Sequence, residues 1–333
     1  SVSGGDLNRA SGPWASISGG RFNEATGAAA SVSEGQINEA SGGSSSISGG
    51  NKNLASGSYS SVCGGGENKA TSIGASVSGG HFNGAGGLFA SVSGGTNNTS
   101  GGRYSSIGGG AVNTAAGESA NVSGGTSKTS SGMAASVGGG SDNTAGEWYT
   151  SVSGGRENTA SGNYSSVSGG YRNKADDRYA SVSGGFNNVA YNYCSSVSGG
   201  SDNWAAQLYS SVSGGRLNKA VGYYSSVNGG HNNSASGWYS SVNGGGGNSA
   251  TGTFAGISGG ERNLASGTSA SISGGKENRA RGIYSAVSGG YGNSAVGWHS
   301  SVSGGSNNTA GGDKSTISGS NELITTSDYD HIP

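Results

Sequence analysis

The sequence predicts an all-β chain, a β-solenoid of 22 coils with two short strands in each coil. Three observations lead there. A 15-residue unit, S-V-S-G-G-x-x-N-x-A-S-G-x-Y-S, recurs from Ser1 to the copy beginning at Thr316 without insertion or deletion. Its glycines and β-branched residues disfavour helix, and fifteen residues are too few for a helix pair. One copy is too short to fold alone, whereas stacked copies share an interior and an unbroken hydrogen-bond ladder.

Each position of the unit is a column running along the chain. Column 2 is Val or Ile in every copy, from Val2 to Ile317. Column 5 is Gly until Ser320, and column 4 is Gly except at Glu34. Column 8 is Asn except at Lys128 and Leu323, and column 10 is Ala except at Ser100, Ser130 and Thr325. Gly-Gly at columns 4 and 5 predicts one corner, because glycine takes positive φ at little cost, and Ser-Gly at columns 11 and 12 predicts the other. The expected strands run from column 13 to column 3 of the next copy and from column 6 to column 10. Strand side chains alternate between faces, so columns 2, 15, 10 and 8 point inward. The asparagines then form a buried amide ladder that satisfies corner backbone groups.

Composition narrows the alternatives. The chain has 333 residues, with 72 Gly and only 2 Pro, and the strict register of the glycines separates it from a flexible linker. A net charge of −1 argues against a nucleic-acid partner. No apolar run is long enough for membrane insertion. Any secretory leader is expected to have been removed or to lie outside this stretch. The 2 cysteines make no disulfide framework. At strand spacing Cys63 and Cys194 are expected roughly 38 Å apart, too far to bond, and 22 coils give a rod on the order of 105 Å.

One Val and a few small residues per coil make a thin interior, so further burial between chains is expected. The outward columns suggest where. Columns 1 and 3 are mostly Ser, and column 14 is aromatic in 13 copies. Its tyrosines Tyr59, Tyr149, Tyr164, Tyr179, Tyr209, Tyr224, Tyr239 and Tyr284 are the candidate self-association or ligand face. Columns 7 and 9 vary, carry charge and read as solvent-facing. The solenoid is expected to span residues 1–320. Residues 321–333 break the pattern and read as a cap or docking tail, with Leu323, Ile324, Tyr329 and Ile332 as its contacts. Docked on the first coil of another copy, such a tail grows a head-to-tail filament.

The repeat resembles that of YadA-type trimeric autotransporter adhesin heads, through Val2, Gly5, Ala10, Gly12 and their equivalents in nearly every copy. It departs at column 4, where Gly19 and its equivalents replace an isoleucine, and at column 8, where Asn23 and its equivalents appear. The resemblance implies a left-handed parallel β-roll, a homotrimer and an extracellular or cell-surface setting.

Motifs suggesting chemistry have simpler readings. Residues 256–260 fit G-x-S-x-G, but the match is column 1 changed to Gly, without the strand-to-helix turn of a nucleophile elbow. Ser-Asp-Asn at 141–143 and 201–203 reads as solvated corner residues. His81 and His231 sit ten coils apart and share no metal. Glu147, Asp176 and Asp177, with Arg178 beside them, read as a charged corner. The sequons at Asn97, Asn98, Asn121, Asn163, Asn232 and Asn307 are no more than a Ser- and Asn-rich chain yields by chance. No catalysis, cofactor or metal is expected. The expected function is an extracellular structural or adhesive rod whose partner is itself, as a trimer or filament, or surface glycans and proteins. The alternative is ice or carbohydrate binding by the Ser/Tyr face.

Overall fold

The computed structural model describes residues 1–333. The protein is a parallel β-solenoid of about 22 turns, about 15 residues per turn, with no helix. Its residues group into two compact units, Ser1–Tyr164 and Ser165–Pro333. Both use the same rule: each residue lies opposite the one a whole repeat further on. In the first unit Ser16 and Ile17 pair with Ser31 and Val32, and Glu24 and Ala25 with Glu39 and Ala40. In the second, Ser226 and Val227 pair with Ser241 and Val242, and Ser234 and Ala235 with Ser249 and Ala250. Like therefore stacks on like.

The strands are shorter than the sequence predicts. Each spans two residues, at columns 1–2 and 9–10, as in Ser16–Ile17 and Glu24–Ala25. A single bridge adds column 6, as between Arg21 and Gln36. The cause is backbone geometry. Columns 7 and 14 adopt left-handed φ throughout, from Leu7 at 53° and Trp14 at 60° to Glu322 at 58° and Tyr329 at 61°. Such a residue ends a strand and turns its N–H around. Most backbone N–H groups point to the following coil, as Ser18 does to the carbonyl of Val32. Those of columns 7 and 14 point to the preceding one: Phe22 donates to Asp6, and Tyr59 to Gly43.

The second corner also differs from expectation. It spans columns 12 to 15, closed by the N–H of column 15 on the carbonyl of column 12, as from Ala30 to Gly27 at 3.1 Å. Positive φ at its third residue alone makes it a type II turn, which favours Pro at the second residue, where Pro13 stands. The two glycine columns then serve different ends. Column 5 needs glycine for conformation, with φ of 85° at Gly245. Column 12 has ordinary φ but lies against the next coil: a Cβ on Gly252 would overlap the carbonyl of Gly267.

The interior is as thin as expected. Column 2 is buried from Ile17 to Ile317, together with the alanines of column 10 and the small residues of column 15. From Asn23 to Asn308 the asparagines of column 8 are buried, and their side chains bond within the coil and to its neighbours. Asn248 donates to the carbonyls of Gly244 and Gly260 at 2.9 Å and accepts from the N–H of Asn263 at 2.9 Å. That side-chain oxygen replaces the carbonyl that column 8 would otherwise lack, because the left-handed residue before it has redirected the ladder. Beyond residue 320 the ladder continues for one more turn. Ile324–Thr325 pairs with Thr309–Ala310, and His331–Ile332 with Thr316–Ile317.

Candidate functional site

The aromatic column lies on a corner, because its residues are the third members of the type II turn. This is where the strand boundaries matter: the rings do not share a flat strand face with the serines. Successive turns hold successive rings one coil apart, so they stack. In the second unit Tyr209 lies on Tyr224 at 4.8 Å between centroids, Tyr224 on Tyr239 at 4.8 Å, and Tyr239 on Phe254 at 5.1 Å. Each pair is within 11° of parallel. Cys194 interrupts the column, and Tyr193 from column 13 fills the gap, edge-on to Tyr179 at 5.7 Å and to Tyr209 at 5.6 Å. The neighbouring Cys194 thiol holds the Tyr193 phenol above its ordinary pKa.

The other candidate tyrosines are more scattered. Tyr149 stacks on Tyr164 at 5.1 Å within the first unit, and Tyr284 stacks on His299 at 4.8 Å. Tyr59 has Gly74 in the next coil and stays largely exposed. Cations cap some rings: the guanidinium of Arg178 lies 5.0 Å from the Tyr179 centroid, and Lys314 reaches both Trp298 and Tyr329. Each ring pair contributes about 0.5–1.5 kcal/mol beyond its buried area.

Sequence reasoning missed the second row of rings. Column 13 carries Tyr193, Tyr223 and Trp238 beside the stack, and Tyr223 and Trp238 meet edge to face at 5.4 Å. Trp238 is 59% exposed and Phe254 58%. Aromatics in column 13 of nearby coils were the available signal. Also missed was a run in column 9: Thr99, Thr114, Thr129, Thr144 and Thr159 pair in register on the opposite strand.

The stack offers edges rather than faces. Inside Tyr209–Phe254 each ring face is covered by the next ring, while ring edges and phenol oxygens reach solvent. Such a comb accepts side chains that insert edge-on. It is poorly suited to a sugar, which stacks on an open ring face. On the strand face, column 1 serines are half-buried and column 3 serines exposed, as at Ser16 and Ser18.

The tail residues are divided. Ile324 is 64% exposed and Tyr329 is 72% exposed, with its hydroxyl held by Lys314 at 2.9 Å. Leu323 and Ile332 are half-buried, and the N–H of Leu323 still donates to the side chain of Asn308. Cys63 and Cys194 are free thiols. No family model matches the chain, and no curated protein matches it.

Proposed function

We propose that the protein is an extracellular structural or adhesive solenoid that works by associating with copies of itself. The observation that carries this reading is the half-exposed comb of stacked rings from Tyr209 to Phe254, flanked by Tyr223 and Trp238. A contiguous exposed apolar patch of this kind marks an interaction surface. The repeat of the comb matches the coil spacing, so a second copy presents rings at the same interval. Interior side chains are spent on the protein's own ladder, which suits a scaffold better than a catalyst. The resemblance to trimeric adhesin heads adds the finer expectations of a homotrimer and a cell-surface setting. End-to-end docking through residues 321–333 is the competing mode of association.

The two modes separate by substitution. Tyr224→Ser with Tyr239→Ser removes two neighbouring rings from the comb and leaves the ladder intact. Side-by-side association predicts a fall in mass by light scattering; unchanged mass argues for the tail. A second reading, ordering of water at an ice surface, is favoured by the threonine run, because Thr supplies both hydroxyl and methyl in a regular row. Thermal hysteresis in the intact protein, lost in Thr129→Lys, supports that reading, and its absence removes it.

A further inference from the structure

We propose that a notch over Gly246 and Gly247 binds a single uncharged sugar ring. Column 6 runs His231, Gly246, Glu261 through three coils, and column 7 runs Asn232, Gly247, Arg262. The middle coil thus lacks two adjacent side chains. These six residues line an open notch of about 320 Å³, near the lower end of small-molecule sites.

Elsewhere on these corners such a gap is filled by the protein. His81 leans over Gly66, Phe89 over Gly74, and Asn307 over Gly292, each where a Cβ would stand. Over Gly246 nothing leans. A Cβ there meets only the carbonyl of His231, at 3.9 Å. Ion pairs fix the side chains of the upper wall. Glu261 pairs with Lys276 at 3.4 Å and Arg262 with Glu277 at 3.6 Å, and the two also pair with each other at 3.8 Å. The Arg262 side chain lies beside Gly247, its Cγ 3.5 Å from where a Cβ would stand. These exposed pairs add little to stability.

The walls stand two coils apart, roughly 10 Å at strand spacing, which leaves one side chain's thickness between them. There is room for a single ring. The chemistry of the walls selects its kind. Arg262 donates, Glu261 accepts, and Asn232 and His231 do both. Glu261 and Arg262 are already paired with each other and with Lys276 and Glu277, so a carboxylate or an amine finds no free countercharge there. A ring dense in hydroxyls satisfies all four. The site belongs to one chain and one compact unit, so it stands whether or not the protein self-associates.

Saturation-transfer NMR on the full chain tests this, with methyl α-glucopyranoside, methyl α-galactopyranoside and N-acetylglucosamine as probes. The expected result is transfer to at least one sugar. It falls at least tenfold when Gly246→Asn and Gly247→Asn fill the notch, and it also falls in Arg262→Leu. Columns 6 and 7 already hold Asn at Asn51 and Asn97, and column 7 holds Leu at Leu217, so these variants keep the fold. Tyr239→Ser leaves transfer unchanged. No transfer from the intact protein, undiminished transfer after filling, or loss in Tyr239→Ser instead each overturns the proposal.

Discussion

Lys128 is where the asparagine column breaks inside the chain, and it shows what one residue of that column does. The side chain is fully buried, and its ammonium nitrogen reaches a single carbonyl, that of Gly138 at 3.1 Å. Lysine has no oxygen to offer the N–H of Asn143 above it. Burial holds its pKa below the ordinary 10.5. Lys128→Asn therefore stabilises the protein, by about 1–3 kcal/mol for the polar groups it satisfies. The sign of the pH dependence follows from the lowered pKa. The unfolded chain binds more protons between the folded-state pKa and 10.5, so the native protein gains stability as pH rises through that window. The advantage of Lys128→Asn is then largest below the window and shrinks on approaching pH 10.5. Denaturation of both proteins across that range checks it; an advantage independent of pH contradicts the burial account.

At the scale of the coil, the glycine columns decide the path of the chain. A Cβ on Gly245 meets positive φ and also overlaps the carbonyl of Gly260, whereas Gly244 beside it faces open space. Gly245→Ala is expected to destabilise by at least about 1–3 kcal/mol, the range for backbone strain, and Gly244→Ala to be near neutral. Comparing thermal midpoints distinguishes them, and equal effects refute the assignment. The sequence already held this contrast, since column 4 accepts Glu34 and column 5 changes only at Ser320. Column 12 was legible as glycine but not as a close approach. Where Asn192 and Gln207 replace it, the N–H turns to the hydroxyl of Ser195 or Ser210 within the corner.

The left-handed residues were the hardest part of the coil to read. Such a conformation normally points to Gly or Asn, and column 14 holds Tyr. One sign was present: column 14 never contains Val, Ile or Thr, the residues least tolerant of positive φ. Column 7 gave no such sign, because Ile37 and Val112 occupy it at 55° and 58°. The period, the buried columns and the asparagine ladder were legible because they repeat. The aromatic column was visible for the same reason, but its second row and the notch were not, because they arise in particular coils: Tyr193, Tyr223 and Trp238 in column 13, and two glycines meeting in one turn.

Across the whole molecule, each coil rests only on its neighbours, so stability is close to a sum of local terms. A thin interior leaves little reserve in any one coil, and an exposed comb of rings is the surface best suited to add burial between chains. The most direct test of this account is the native mass of the purified protein by light scattering, read with negative-stain electron microscopy. The account predicts a mass that is a multiple of the 32.0 kDa chain, in discrete oligomers or fibres. Single chains at every concentration examined would contradict it, and would leave the comb as a surface for something other than the protein itself.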